Sequence, residues 1–264
     1  MTTTRILQLT DLHLFEDPDG RLMEIPTREL LLSVLEHIQQ SGERVDHLVV
    51  TGDHTHDELP ATYRAVRGLL DPWGDRLWLV PGNHDDRATL RAAFPDRIPG
   101  EAADRINFSF RTGAWLCLGL DTHVPGSVSG RIDGEQIAWI ESQLNEHRPT
   151  HAALFMHHPT VLLGCSWLDS IGLEGRELLQ ELLADDPRLR LVCCGHVHHE
   201  STNRVGAATV VTTPSTGLQF APVGDRPTFL RAPPGYRVVE LTDTGCTTRV
   251  VRLPEARFAP KGPE

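Results

Sequence analysis

The chain has 264 residues, 39% hydrophobic and 23% charged, which is the make-up of a folded protein long enough to bury a substantial core. A formal net charge of −11, from 36 acidic and 25 basic residues, argues against a nucleic-acid partner, whose binders carry a basic surface. No apolar run nears the ~20 residues of a membrane span, and the first residues lack the apolar stretch of a signal peptide. The expected location is therefore cytoplasmic, with no membrane partner. Five cysteines, an odd number without a C-x-x-C pair, argue against a disulfide framework and agree with a reducing compartment.

The first predicted strand covers residues 5–10. A stripe of Leu30, Leu31, Val34, Leu35 and Ile38 predicts a helix, with Thr27 as its N-cap and Gly42 as its stop. Further short apolar runs predict strands at 47–51, 77–80, 115–120, 152–156 and 189–194. Asp133 followed by Gln136 reads as a capping box for a helix bearing Ile137, Ile140 and Leu144, and Leu178, Leu179, Leu182 and Leu183 mark another. Residues 205–212 read as a strand, and 236–241 and 247–253 as a pair joined at Asp243-Thr244-Gly245. Residues 220–235, rich in Pro and Gly, read as a loop. The expectation from these elements is an α/β protein (α+β in its last third) with one mixed sheet. Residues 1–253 would form a single domain and 254–264 a C-terminal tail.

Polar residues of one kind follow the predicted strands. Asp11 and His13 follow the first, Asp53 the second, and Asn83 and His84 the third. His157 and His158 end the fifth, and His196 and His198 follow the sixth. Ligands of α/β sheets gather beyond the carboxyl ends of strands, so these five clusters should converge. Carboxylate, imidazole and amide oxygen suit Fe, Mn and Zn, and no thiolate is needed. The i, i+2 spacing of Asp11 with His13 and His196 with His198 lets an extended chain aim two side chains at one point. Glycines at 52, 82 and 195 permit sharp turns.

In this order, Asp11-x-His13, Gly52-Asp53, Gly82-Asn83-His84-Asp85, His157 and Gly195-His196-x-His198 resemble the calcineurin-like metallophosphoesterase superfamily. Within it the chain resembles the class III bacterial 3′,5′-cyclic-AMP phosphodiesterases, through Ile6-Leu7-Gln8-Leu9-Thr10-Asp11-Leu12-His13-Leu14-Phe15, Gly164-Cys165-Ser166-Trp167-Leu168-Asp169, Thr213-Pro214-Ser215-Thr216-Gly217-Leu218-Gln219-Phe220 and Ala232-Pro233-Pro234-Gly235-Tyr236-Arg237. The resemblance covers nearly the whole chain. It implies a four-layer sandwich of two mixed sheets flanked by helices. It also implies two metal ions per chain (Fe, Mn or Zn, divalent or trivalent). One would be held by Asp11, His13, Asp53 and His198, the other by Asp53, Asn83, His157 and His196. His84 is then no ligand but reaches the phosphate or its leaving group, so the implied catalytic residues are His84 and Asp53. The substrate would meet His13, Asp53, Asn83, His84 and His198.

The implied reaction is hydrolysis of a small-molecule phosphodiester, 3′,5′-cyclic AMP, to 5′-AMP by in-line attack of a metal-bridging hydroxide. Other cyclic nucleotides, glycerophosphodiesters and phosphomonoesters stay open as substrates. A metal-binding scaffold without turnover is the alternative outside the enzymes. The residue after Asp53 is commonly Leu in the family and is His54 here. His54-x-His56-Asp57 superficially looks like the motif of another zinc hydrolase, but loop histidines are the better reading. His54 should point away from the metals. His123, His158 and His199 are likewise expected near the site but not as ligands. Asp57 and Asp85 are candidates to orient His84 or a ligand histidine. Trp167 and Phe220 could stack on a base or pack the loops. Oligomeric state is not legible.

Overall fold

The structure, a computed structural model, describes residues 3–101 and 104–261, so the last three residues of the expected tail lie outside the described residues. Its main elements are β1 (Thr4–Leu9), α1 (Thr27–Gln40), β2 (His47–Thr51), α2 (Pro60–Leu70), β3 (Leu77–Val80), α3 (Arg87–Ala93), β4 (Phe108–Thr112), β5 (Trp115–Leu120), α4 (Gly134–His147) and β6 (His151–Met156). There follow α5 (Ser166–Asp169), α6 (Arg176–Asp185), β7 (Leu189–Cys194), β8 (Ser201–Val205), β9 (Ala208–Thr212), β10 (Gly235–Thr242) and β11 (Gly245–Arg252).

Alternation along the strands explains the layering, because successive side chains of a strand face opposite ways. Leu7 and Leu9 of β1, with Leu48 and Val50 of β2, pack beneath Leu31 and Val34 of α1 and Tyr63 of α2. Their neighbours Ile6 and Val49 face inward, where they meet Cys117, Phe155 and Cys193 of a second sheet. The outer face of that sheet, including Leu118, Leu154 and Val192, is covered by Ile140 and Leu144 of α4 and Leu179 of α6. The result is helix, sheet, sheet, helix. One sheet has the order β11-β10-β1-β2-β3 and the other β8-β9-β7-β6-β5-β4. Strands β1 to β3 are parallel, as are β5, β6, β7 and β9, and the outer partners run antiparallel.

The single sheet expected from periodicity is thus two sheets, as the resemblance implies. A strand covered on both faces reads as one apolar run, whether a helix or another sheet does the covering.

Local corrections have equally definite causes. Thr27 does not cap α1; it is the first helical residue, and its hydroxyl donates to the His13 carbonyl at 2.9 Å. Asp133 does cap α4, accepting from the Gln136 amide at 3.2 Å. The reciprocal arm of the box is missing, because the Gln136 amide side chain donates to the Asp121 carbonyl instead. Residues 205–212 are not one strand but the end of β8, a turn at Gly206 and β9. Helices α2 and α3 and strand β4 escaped the pattern. The loop 220–235 includes one side of a small ribbon, Gln219–Phe220 against Phe229–Leu230. The described part of the tail holds no helix or strand, yet Phe258 packs against the buried cluster of Ile25, Leu30 and Leu218.

Candidate metal centre

The carboxyl ends of β1, β2 and β3 in one sheet and of β6 and β7 in the other open on the same edge of the sandwich. The chain does not stay extended there. Asp11, His13, Asp53, His196 and His198 have φ of 55°, 45°, 51°, 69° and 49°, the left-handed region that non-glycine residues rarely adopt. So paired side chains are aimed by left-handed turns, not by the extended run expected from the i, i+2 spacing. Such conformations cost of order 1–3 kcal/mol each and persist where hydrogen bonds over-determine them. Here the Asp11 amide donates to the Gly52 carbonyl at 3.1 Å and the His13 amide to the Asp53 carbonyl at 2.9 Å. The His196 amide donates to both Asp11 carboxylate oxygens at 3.1 Å. Gly52, at φ 93°, lies against the backbone of Gly82, and a Cβ on Gly82 would strike Asp53.

Asp11, His13, Asp53 and His198 bring one ligating atom each within 4.8 Å of one another, all buried. His13 Nε2 is 3.1 Å from His198 Nε2 and 3.4 Å from Asp53 Oδ2. His198 Nε2 is 3.3 Å from Asp11 Oδ1. On the other side, Asp53 Oδ2 lies 3.5 Å from His157 Nε2. Asn83 Oδ1 lies 3.1 Å from His157 Nε2 and 2.9 Å from His196 Nδ1. All seven residues singled out as ligands therefore meet in one cluster, with Asp53 between its two halves. Its other oxygen, Oδ1, accepts from the His84 amide at 2.8 Å.

The outer nitrogens of the imidazoles test whether this donor set fits metal ions. His157 Nδ1 lies 2.7 Å from the Thr51 carbonyl, His198 Nδ1 2.8 Å from that of Leu218, and His196 Nε2 3.0 Å from that of Ile171. A carbonyl only accepts, so each of these nitrogens carries the proton. In its neutral form each ring then has its lone pair on the nitrogen that faces the cluster, as ligation requires. Burial drives His13 well below its ordinary value, with His198 and His84 adding to it, and burial together with His157 takes His196 down to about 3. Both rings are thus neutral donors at neutral pH. Burial alone would raise Asp53, but His157 and His13 hold it well below the usual carboxylate range. Burial also opposes charge on His157, yet Asp53 and Asp11 prevail and push it up to about 9. A proton there occupies the place a cation would take. The set fits a pair of ions.

The remaining candidates sort by their contacts. His54 points away from the cluster, its Nδ1 2.9 Å from Asp85. Asp85 also accepts from the Tyr63 hydroxyl at 3.0 Å and the Gly82 amide at 2.9 Å, and so braces the loop rather than a ligand. Asp57 accepts from the Glu16 amide at 2.7 Å. Neither acid bonds His84, contrary to one role considered for them. His158 adjoins His157 and His196, but Thr122 and the Val128 carbonyl occupy its two nitrogens. His199 Nδ1 lies 2.8 Å from its neighbour's carbonyl at Val197. His123 is buried beside Asp121, whose carboxylate accepts its amide at 2.9 Å. His56, set aside as a loop histidine, instead stacks on the His84 ring at 4.7 Å. No periodicity could have marked it.

Above the cluster lies a cleft of about 170 Å³ that takes in His56, His84, Asn83 and the aromatic rings of Trp167, Phe220 and Phe229. Phe220 lies flat on His198 at 3.9 Å, with Trp167 at 5.2 Å and Phe229 at 5.6 Å from it. A larger groove of about 440 Å³, near Leu35 and Trp73, contains none of the ligating clusters.

A two-sheet sandwich that gathers carboxylates and imidazoles at the strand ends of both sheets defines a metal-dependent phosphoesterase. Residues 4–200 match the model of the calcineurin-like phosphoesterase, and the chain belongs to that family. The family works through a dimetal centre. The chain is 35% identical over 258 residues to the 3′,5′-cyclic adenosine monophosphate phosphodiesterase CpdA of Escherichia coli, covering 97% of this chain and 92% of that protein. It is 32% identical over 254 residues to its namesake from Pseudomonas aeruginosa, covering 96% and 91%. Among solved structures, the fold is similar to a dimetal phosphatase from Danio rerio, at TM-score 0.64 and 16% identity over 93% of this chain and 98% of that one. It is also similar to a purple acid phosphatase from yellow lupin, at TM-score 0.68 and 16% identity over 95% and 52%.

Proposed function

We propose that this chain is a two-metal phosphodiesterase that converts 3′,5′-cyclic AMP to 5′-AMP. The observation that carries the reading is the position of Asp53 Oδ2, 3.4 Å from His13 and 3.5 Å from His157, between two groups of inward-facing ligands. In this reading Asp11, His13, Asp53 and His198 hold one ion, and Asp53, Asn83, His157 and His196 hold the other. Iron, manganese or zinc suits these donors. Bound, the pair would supply positive charge to the phosphoryl oxygens and make water acidic enough to attack near neutral pH. A chain of net charge −11 has need of that local reversal of sign to draw in an anionic ester.

The chain's own residues do the positioning. Asp53 keeps the two halves in register and, through the His84 amide, sets the imidazole of His84 at the mouth of the cleft. His84 protonates the departing 3′-oxygen. His13, Asp53, Asn83, His84 and His198 surround the place of the phosphate. Trp167, Phe220 and Phe229 offer apolar faces to the base. The relatives named as cyclic adenosine monophosphate phosphodiesterases support this substrate. We also propose that residues 1–253 form one domain with residues 254–264 as its tail, and that the enzyme is cytoplasmic, a location its five unpaired cysteines support.

A second reading, with a wider range of cyclic nucleotides or glycerophosphodiesters as substrates, is favoured by the cleft wall. Beyond the ligands it includes Leu22, Met23, Val128, Ile171 and Phe229, which shelter a base without reading its edges. Initial rates with Mn²⁺ separate the two readings, using 3′,5′-cyclic AMP, 3′,5′-cyclic GMP, a 2′,3′-cyclic nucleotide and an aryl diester. Cyclic AMP should give the highest kcat/KM. Were the 3′,5′-cyclic nucleotides the poorest substrates, the proposal would be wrong.

A further inference from the structure

His56 has contacts that a solvated loop residue would lack. Its amide donates to the Leu14 carbonyl at 2.8 Å, beside a short parallel bridge between Leu14 and Thr55, so its backbone is tied to the turn that carries His13. Its ring is half-buried, stacks on His84 at 4.7 Å with 24° between planes, and meets Phe15 at 5.0 Å. Phe15 is held in turn by Gly20, where any side chain would strike its ring. Most telling is the 3.3 Å approach of His56 Nδ1 to His13 Nδ1.

His157, His196 and His198 turn their outer nitrogens to backbone carbonyls, whereas His13 turns its own to a second imidazole. A hydrogen bond between two ring nitrogens needs one donor and one acceptor. For His13 to offer the Nε2 lone pair to the cluster, its Nδ1 must carry the proton and donate it. His56 Nδ1 is then the acceptor, and the proton of a neutral His56 resides on Nε2. That leaves one N–H on a ring that borders the cleft beside His84.

We infer that His56 is both the positioning residue that fixes the tautomer of His13 and a donor to the phosphoryl group of the substrate. One nitrogen serves each task. The substrate half of the inference rests on the phosphodiesterase reading given above; the His13 half needs only the metal centre.

Two substitutions divide the tasks, because the amide of asparagine lies near the Nδ1 position of histidine and that of glutamine near the Nε2 position. His56→Asn keeps an acceptor for His13 and loses the donor; His56→Gln does the reverse. Mn²⁺ affinity measured by calorimetry should fall about 10-fold or more in His56→Gln, the usual effect of losing a ligand's hydrogen-bond partner, and stay within about 2-fold in His56→Asn. Inorganic phosphate binding to the Mn²⁺-saturated proteins should show the opposite pattern, with about a 10-fold loss in His56→Asn. Unchanged binding of both probes in both variants overturns the inference, and so does an equal loss of both in both, which marks simple packing. If wild type turns over no cyclic nucleotide yet the metal affinities divide as stated, the substrate reading fails and the positioning role stands. Should the variants not fold, ¹⁵N spectra of the Zn²⁺-loaded wild type still decide: His56 must be protonated at Nε2, and protonation at Nδ1 overturns the inference.

Discussion

The His84 ring stands 5.0 Å from that of His13 and borders the cleft, and its amide donates to Asp53, so in the proposed mechanism it acts on the substrate rather than as a ligand. His84→Ala should therefore lower kcat by about 10²–10⁴, the range for losing a general acid, while both metals stay bound. Metal analysis beside single-turnover kinetics checks this, and loss of an ion would make the residue part of the centre instead. At this scale the sequence was informative about identities and silent about partners. Asp11, His13, Asp53, Asn83, His157, His196 and His198 are legible because each follows an apolar run. The carbonyls of Thr51, Leu218 and Ile171, which orient three imidazoles, are not, since every residue has a carbonyl. His56 was illegible for a related reason: its neighbour His13 is distant in sequence and only the turn after β1 brings them together.

At the scale of elements, the buried central strands announced themselves, the outer strands β4 and β8 did not, and helices did so unevenly. The α1 stripe of Leu30, Leu31, Val34 and Ile38 is dense, whereas α2 buries only Thr62, Tyr63, Val66 and Leu70. Helix α4 makes a testable case of capping. Hydrogen bonding from Arg105, then from the Gln136 amide, outweighs burial and draws the Asp133 carboxyl down to about 2. A carboxyl depressed in the folded state contributes fully above its ordinary value near 4, and that contribution is lost as pH falls toward 2. Replacing the cap by alanine should cost about 1 kcal/mol at neutral pH. In urea titrations, the difference between wild type and Asp133→Asn should shrink from pH 5 to pH 3. A constant difference would mean that charge plays no part.

The two sheets are held by the apolar layer between their inner faces and by polar contacts at both ends. Far from the site, Trp115 Nε1 of one sheet donates to the Thr242 carbonyl of the other at 2.7 Å, and the hydroxyls of Thr4 and Thr112 meet across the same seam. At the near end each proposed ion draws ligands from both sheets: His198 completes a set begun by Asp11, His13 and Asp53, and His157 with His196 completes that of Asp53 and Asn83. Metal at 100 times its Kd should add about 2.7 kcal/mol, or about 5–10 °C in Tm for a chain of this size, and chelation should remove it. An unchanged Tm would argue against ions shared by the sheets. Mechanically, the ions would be a clasp on one edge of a sandwich whose inner faces stay packed, so chelation should loosen that edge and leave the apolar layer and the far seam intact. Amide exchange should then quicken along a gradient, fastest at the carboxyl ends of β1, β6 and β7 and least altered near Trp115. Wear in such a molecule would begin at its working edge.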